Sequence, residues 1–304
     1  MQEPSTPPVS EERVSDGAIT ALTLAYSAPM PGLGSRYVDG SVAHEARLLT
    51  AMPTAQALAA SARHTLGQTV LDAVLSSVRL AGYADARAAA YLAPLASAAL
   101  TSSTSGLVLT TLGHHDIQPF LRAFEAGAGV AGDSPSDSSL SVSLRVALGS
   151  GTDTTLRDAM RFAASRDALA REYARDYEVT DQLARPALLA TLGRAESSRA
   201  ALVQAYLEVL AEVPDLDVAR RAGTREAEEV SRMARGVLKA GGVRSRRGLQ
   251  ALINLDGILR EDPRLAPSAT EHPVMAAAFL VSLEYGASAL NHRLRPATGY
   301  DRGR

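Results

Sequence analysis

The sequence predicts an all-α fold, and three observations lead to this prediction. Hydrophobic residues make up 46% of the 304 residues, which is enough for a sizeable core, yet aromatic residues make up only 4%. Alanine, leucine and arginine dominate, and alanine has the highest helix propensity. The apolar residues mostly recur at the three- and four-residue spacing of a helix face. We therefore expect a single multi-helix domain over residues 15–292.

Composition excludes several classes of protein. The chain has no cysteine, which rules out disulfides, thiolate metal sites and cysteine nucleophiles. Its only lysine is Lys239, so no Walker-A lysine is present. The net charge of −2 argues against a nucleic-acid partner, and no apolar run is long enough for a membrane span. The start of the chain lacks the pattern of a signal peptide, so we expect a cytoplasmic protein.

The first half of the chain shows a series of helix patterns separated by turns. The polar residues 1–14 read as a disordered tail, and a helix should start near Ser15. It should end before the rigid turn of residues 29–34, which holds two prolines and two glycines. Helical patterns resume over 45–78 and 88–112. The latter contains Pro94, so we expect a kinked helix or two shorter helices, with a connection over 101–106.

The middle of the chain departs from the helical pattern. Residues 127–155 are rich in glycine, serine and aspartate, which predicts one long Gly/Ser-rich loop that could close over a ligand. Inside it, apolar residues alternate with polar or small ones from Ser141 to Leu148, which predicts a strand. This strand is either a lone extended segment or one that pairs across a dimer axis. Just upstream, Asp116 reads as a helix N-cap, and the adjacent His114 and His115 as a weaker candidate metal pair.

The second half returns to helical spacing. The charged residues 171–178 read as a solvated face. Residues 202–213 form a helix pattern that Pro214 breaks, and a second amphipathic helix should begin at Thr224. An almost wholly apolar helix over 274–290 should be the central, buried one. The basic residues 293–304 read as a frayed tail.

A corner rich in arginine lies between the two helix patterns that flank Pro214. Arg220, Arg221 and Arg225 follow Asp215 there. Guanidinium groups bind phosphates well. No serine–histidine–acid arrangement and no metal-ligand spacing can be placed from the sequence. The residues by themselves thus indicate a large helical protein that binds a phosphorylated ligand.

Several segments resemble the triphosphoribosyl-dephospho-CoA synthase family, in the order in which that family has them. The late segment AEVPDLDVARRAGTREAEEVSRMARGVLKAGG, residues 211–242, carries the resemblance most clearly. Four other segments are similar to family segments: LAYSAPMPG at 24–32, YLAPLA at 91–96, the Arg166–Asp167 segment through Ala174, and AAAFL at 276–280. The resemblance covers nearly the whole chain after about Ser15.

The resemblance implies an all-helical transferase that uses ATP and Mg²⁺ and has dephospho-CoA as its acceptor. Three family signatures are altered here: Met30 replaces a lysine, Tyr83 and Asp85 replace asparagines, and His272 replaces an aspartate. By position in the motifs, the expected catalytic residues are Asp215, Asp85 and His272, as acid, base or metal ligands. The expected substrate- and phosphate-binding residues are Arg220, Arg221, Arg225, Pro31, Gly32, Tyr83, Arg87 and Thr270.

Three functions fit these sequence features. The first is a diverged transferase that binds ATP or a related phosphorylated nucleotide in cofactor or prosthetic-group biosynthesis, with a nucleotide or CoA-like molecule as partner. The second is the parent reaction with rearranged residues, which would have to stabilise the phosphate charge without the lysine and aspartate of the family signatures. The third is a catalytically inactive relative, which acts as a ligand-binding or partner subunit, as a homodimer or with a paralogue.

Overall fold

The protein is helical throughout the part that the computed structural model describes, which comprises residues 8–38, 40–131, 139–194 and 197–290. The predicted all-α fold is confirmed, because these residues contain no β-strand. The helices are α1 Glu11–Ser27, α2 His44–Leu49, α3 Ala51–Ala59, α4 Leu66–Ala81, α5 Ala86–Leu100, α6 Ser105–Thr110, α7 Ile117–Ala131, α8 Ser139–Gly149, α9 Leu156–Ala163, α10 Ala168–Ala174, α11 Arg185–Leu192, α12 Ser198–Glu212, α13 Leu216–Arg221, α14 Thr224–Lys239, α15 Arg246–Glu261 and α16 Glu271–Tyr285.

Short helical turns connect several of these helices. A π-helical turn, Thr180–Ala184, runs into α11. Two 3₁₀ turns, Pro263–Leu265 and Ser268–Thr270, lie between α15 and α16. No helix among the described residues has both the length and the apolar character needed to cross a membrane. Residues 1–7 of the tail predicted at 1–14, and the whole tail predicted at 293–304, lie outside the described residues.

The last long helix, α16, is the central buried element, as its apolar sequence predicts. It packs against α1, α5, α11 and α12, and its side chains from Glu271 to Phe279 are all buried. Gly17 allows α1 to approach closely, because a Cβ atom there would lie 3.3 Å from Ser282 and 3.4 Å from Phe279. The helix ends at Tyr285 rather than at 290, where Gly286 takes a positive φ of 88°.

Helix α5 runs without interruption through Pro94, and two tyrosines explain how. A proline inside a helix leaves the carbonyl four residues earlier without its amide donor. Here the Tyr173 hydroxyl donates to the carbonyl of Ala90 at 2.7 Å, and the Tyr177 hydroxyl donates to that of Tyr91 at 2.6 Å. Tyr173 therefore satisfies the carbonyl that Pro94 frees, and Tyr177 adds a bond to the next carbonyl. The connection predicted over 101–106 follows α5 as expected.

The predicted strand is wrong, because residues 139–149 form helix α8. The buried apolar residues are Leu140, Leu144 and Ala147, which have helical i, i+4, i+7 spacing. Val142 and Val146 are exposed and produced the apparent alternation. The long loop is also overestimated, since α7 extends to Ala131 and α8 and α9 occupy most of the remainder.

Three further expectations need correction. Helix α1 begins at Glu11, because the Ser10 hydroxyl accepts from the Arg13 amide and caps it, so the tail boundary at residue 14 is too late. Glu172 belongs to no solvated face, since it is 1% exposed and accepts from the amides of Val179 and Thr180. The arginine corner, expected as a link between two helices, contains a short helix of its own, α13. Helix α14 starts at Thr224 as predicted.

Candidate functional site

Four helices begin close to one another and bring most of the predicted site residues together. Asp85, Asp167, Asp215 and Thr270 are the N-cap residues of α5, α10, α13 and α16. Hydrogen bonds or ion pairs link α5 to α16, α5 to α10, and α13 to residues 266–270 just before α16. We call the N-terminal ends of α5, α10 and α16, the whole of the short helix α13 and residues 266–270 the junction.

Asp85 and His272 form a nearly buried pair at the junction. Nε2 of His272 lies 3.3 Å from Oδ1 of Asp85, and the two side chains are 8% and 11% exposed. Asp85 also accepts from the Ala88 amide at 2.9 Å and from the Tyr26 hydroxyl at 3.2 Å. Burial alone would raise the pKa of Asp85, but the charge and hydrogen bond of His272 and the hydrogen bond from the Ala88 amide hold it below its usual range. Burial lowers the pKa of His272, yet the Asp85 carboxylate raises it above its ordinary value.

Asp215 has all its hydrogen-bonding capacity taken up by the fold. Oδ1 accepts from the amides of Asp217 and Val218 and so caps α13, while Oδ2 accepts from the amide and hydroxyl of Thr270 at 2.8 and 2.7 Å. The residue is 2% exposed, and burial followed by the neighbouring Asp217 carboxylate raises its pKa. We infer that Asp215 and Thr270 join α13 to the start of α16, in place of the catalytic and ligand-binding roles expected of them.

The accessible side of the junction carries three arginines around one carboxylate. Arg87 pairs with Asp167 at 2.7 Å and attracts Asp217, and Arg220 lies 3.6 Å from Asp217. Arg221 donates to the carbonyl of Ala266 and, at 3.3 Å, to the Ser268 hydroxyl. We call Arg87, Arg220 and Arg221 the arginine rim.

The arginine rim lies close to the carboxylates of the junction. Burial would raise the pKa of Asp217, but Arg87, the Ser268 hydroxyl and the other two rim arginines keep it lowered. Three guanidinium groups are therefore grouped around Asp167 and Asp217, and the buried Asp215 lies beside them. Arg220 is the most accessible of the three, with 46% of its side chain exposed. Arg225 is exposed on the first turn of α14 and forms no ion pair with the described part of the junction.

The Pro31–Gly32 turn lies behind the junction and is held by α12 and α15. The Tyr206 hydroxyl bridges the carbonyls of Pro31 and Pro267, at 3.2 and 3.1 Å. The Gly32 amide donates to Oδ1 of Asp256 at 2.8 Å. Met30, which stands where the resemblance has a lysine, is 1% exposed. The turn thus fixes the backbone beside residue 267 and offers no cation of its own at position 30.

A buried ion pair, which the sequence did not reveal, connects α2 to α16. Nη2 of Arg47 donates to both carboxylate oxygens of Glu271 at 2.7 and 2.6 Å, and the guanidinium lies 4.1 Å from the ring centre of Tyr26. Tyr83 is half-buried and close enough to act electrostatically on Tyr26 and Arg47. Because the Tyr26 hydroxyl reaches Asp85, one buried polar network runs from Arg47 to His272.

No preformed metal site accompanies these residues. Within the described ranges, no three histidine, cysteine, aspartate or glutamate side chains are grouped so that they could hold an ion. The carboxylates of Asp85, Asp215 and Asp217 each accept hydrogen bonds from protein donors through both oxygens or lie against arginines. The residues present therefore do not fit a magnesium ion bound directly by the protein. Asp116, beside the two adjacent histidines, accepts from the amides of Gly67 and Gly113 and serves the local fold.

Sequence reasoning located the junction but missed about half of the residues that build it. Asp167 lies in the quoted Arg–Asp segment, and Asp217 lies two residues after Asp215, so both carried a usable signal. Tyr26 lies in the quoted segment at 24–32, and Glu271 lies between Thr270 and His272, so both had a signal as well. Arg47 had none, because it lies in a segment without a motif and meets Glu271 only in the fold.

The comparisons with known proteins agree with the fold. The ATP:dephospho-CoA triphosphoribosyl transferase family matches residues 11–289. A solved structure from Archaeoglobus fulgidus, described as a candidate triphosphoribosyl-dephospho-CoA synthase, superposes with a TM-score of 0.58 at 21% identity. The match covers 79% of this chain and 99% of that one. None of the curated proteins matches the sequence. The family match spans nearly the whole helical region, and the chain therefore belongs to the ATP:dephospho-CoA triphosphoribosyl transferase family.

Proposed function

We propose that the protein is a triphosphoribosyl transferase that binds ATP or a related phosphorylated nucleotide at the junction and acts in cofactor or prosthetic-group biosynthesis. The acceptor is dephospho-CoA or a CoA-like molecule. The main support for the proposal is the arginine rim on the accessible side of the junction, where three guanidinium groups surround Asp217. The matched family supplies the reaction class.

Electrostatics favour an anion at this place. The long helices α5 and α16 both begin here, and the start of a helix carries partial positive charge from its unpaired amides. One guanidinium group can donate to two phosphate oxygens at once, and it remains charged at every physiological pH. A triphosphate would therefore lie along the arginine rim, with Arg220 as its most accessible contact. The buried Met30 gives this chain no lysine for the same task.

The reaction that the family name describes makes specific demands on the site. Moving the triphosphoribosyl group of ATP to an acceptor breaks the bond between the ribose C1′ and the adenine nitrogen. The enzyme must therefore hold the triphosphate, stabilise the charge that develops on the ribose, and assist the departure of the base. The arginine rim provides the first of these functions. Magnesium enters this proposal as an ion carried by the nucleotide phosphates, and no step depends on a protein ligand for it.

A second function is favoured by the pairing within the junction. Asp85, Asp167 and Asp215 are all engaged with protein groups, and a buried residue replaces the family lysine. These features suit a catalytically inactive relative that binds a nucleotide and serves as a partner subunit, in a homodimer or beside an intact paralogue. This protein would bind ATP without consuming it.

Release of adenine separates the two functions. The purified protein is incubated with ATP and dephospho-CoA, with Mg²⁺ or with EDTA, and free adenine and the triphosphoribosylated acceptor are quantified by liquid chromatography. The transferase proposal expects adenine and product in equal amounts, only when both substrates are present. Binding of ATP without adenine release would overturn the transferase and support the inactive relative.

A matched pair of arginine variants tests whether the rim is the site. Arg220→Gln removes a rim charge, whereas Arg232→Gln removes an exposed charge that pairs with Glu229 on α14. We expect the first variant to lower the rate at subsaturating ATP about tenfold, which corresponds to about 1.4 kcal/mol. The second should leave it unchanged. Equal rates for both variants would place the nucleotide elsewhere.

A further inference from the structure

His272 has one ring nitrogen in use and one without a partner. Its Nε2 faces Asp85 at 3.3 Å, and its ring stacks on that of Tyr91, with centroids 5.3 Å apart and an interplanar angle of 18°. Its Nδ1 is buried and has no hydrogen-bond partner within the described structure. The Tyr91 hydroxyl, on a residue that is 1% exposed, is likewise buried without a partner. Asp85 and Tyr91 therefore fix the ring and leave Nδ1 for another group.

The charges around His272 favour the protonated ring. Asp85 and Arg87 face it from α5, and Glu271 precedes it on α16, where Arg47 of α2 neutralises that carboxylate. Burial is the largest single effect and lowers the pKa of His272, but the charge and hydrogen bond of Asp85 together with the charge of Glu271 raise it above the ordinary value of 6.5. In the protonated ring Nδ1 is an N–H donor that carries part of a positive charge. A buried charged donor without an acceptor is costly, so an incoming ligand atom would pair with it favourably.

This inference rests on the proposed function. When the triphosphoribosyl group leaves ATP, the electron pair of the bond from C1′ moves onto the purine. Adenine is a poor leaving group as an anion and a better one when a ring nitrogen is protonated during departure. General acids of this kind contribute rate factors of about 10²–10⁴, and an acid with a pKa near or slightly above 7 is well matched to the task.

We propose that His272 is the general acid that protonates the departing purine through Nδ1, and that Asp85 and Tyr91 are its positioning residues. In this step the bond between C1′ and the purine nitrogen breaks, and a purine ring nitrogen takes the Nδ1 proton. A bond forms between C1′ and the acceptor hydroxyl oxygen, whose proton passes to water. The neutral imidazole then regains a proton from water. The substrate class is a purine ribonucleoside triphosphate.

A nucleotide whose base needs no proton provides the sharpest test. N7-methylated ATP carries a cationic base that departs as a neutral molecule. We expect His272→Gln to lower base release from ATP about 100-fold or more, and to keep the rate with N7-methylated ATP within about threefold of wild type. Retained activity on the methylated substrate also shows that the variant is folded. Equal losses on both substrates would reduce His272 to a structural residue and overturn the inference.

The pH profile gives an independent readout. Single-turnover base release from ATP by the wild-type protein should fall as pH rises through the pKa of His272. In Asp85→Asn the fall should begin at lower pH, because the charge that raises that pKa has gone. Identical profiles for the two proteins would contradict the proposed pairing. Failure of the wild-type protein to release base from either nucleotide would overturn the proposed function together with this inference, whereas equal losses in His272→Gln overturn this inference alone.

Discussion

The guanidinium of Arg47 is bonded to both carboxylate oxygens of Glu271, and both side chains are almost fully buried, at 11% and 7% exposure. Glu271 is the first residue of α16 and precedes His272. The ion pair therefore ties α2 to the central helix immediately beside the proposed catalytic residue. It also lies over the ring of Tyr26, whose hydroxyl contacts Asp85.

Removal of one partner of this pair should be strongly destabilising. In Arg47→Ala the Glu271 carboxylate stays buried without its cation, a situation that costs about 3–5 kcal/mol. Urea denaturation should show a fall of this size in the free energy of unfolding. The control is Arg63→Ala, whose pair with Glu11 is exposed and should contribute at most about 1 kcal/mol. Similar falls in the free energy of unfolding for both variants would show that the buried pair contributes no more to stability than the exposed pair.

The Asp85–His272 pair predicts how stability depends on pH. The pKa of His272 is raised in the folded state, so its contribution is fully present below the ordinary value of 6.5 and is lost as pH rises through the folded pKa. The pKa of Asp85 is lowered, so its contribution is present above 3.8 and is lost as pH falls towards the folded pKa. The pair should therefore stabilise the fold most between about pH 4 and 6.5.

Thermal melting across the pH range checks this expectation. The difference in Tm between wild type and His272→Gln should be largest between pH 4 and 6.5 and should shrink above neutrality. A difference that grows as pH rises above 7 would have the wrong sign and would contradict a raised pKa for His272.

Asp215 should matter for stability more than its partner hydroxyl does. Asp215→Ala removes the N-cap of α13 and leaves the Thr270 amide without its acceptor, which should cost about 2–4 kcal/mol. Thr270→Val removes only the hydroxyl donor and should cost about 1–2 kcal/mol. Chemical denaturation of both variants gives the comparison. An Asp215→Ala variant with the same free energy of unfolding as wild type would contradict the structural role inferred for this residue.

Two glycines with similar backbone conformations offer a test of the turn at residue 32. Gly32 and Gly82 have φ angles of 77° and 64°, so alanine at either position pays about 1–2 kcal/mol for the left-handed region. At Gly32 the new Cβ would also lie 2.9 Å from Cβ of Leu259, whereas nothing lies within 4 Å at Gly82. Gly32→Ala should therefore cost about 1–3 kcal/mol more than Gly82→Ala in urea denaturation. Equal costs would show that the turn is free to move away from α15.

The sequence predicted helices where apolar spacing was regular and failed where it was ambiguous. The apolar residues of α16 gave its central position, and Pro214 gave the break between α12 and α13. In α8 the exposed Val142 and Val146 imitated a strand, because spacing alone does not tell which residues are buried. Pro94 predicted a kinked helix or two shorter helices, because the sequence does not show that Tyr173 would bond the freed carbonyl of Ala90 and that α5 would continue through residue 94.

The candidate site was also predicted in part: the positions of its residues were, but their roles were not. Motif positions located Asp85, Arg87, Asp215 and His272 at one junction, although these residues are up to 187 positions apart in sequence. Their roles depended on partners in other segments. We infer a structural role for Asp215 because the donors of Thr270 occupy its second oxygen. Arg47 joins the site through its contacts with Glu271 and Tyr26.

Calorimetric titration of ATP and of adenosine into the wild-type protein and Arg220→Gln shows whether the arginine rim holds the phosphates of the nucleotide. We expect wild type to bind ATP at least tenfold more tightly than adenosine, and Arg220→Gln to weaken only the binding of ATP. Arg232→Gln should behave as wild type. Equal affinity of the wild-type protein for ATP and adenosine, or an unchanged ATP affinity in Arg220→Gln, would contradict this role of the rim.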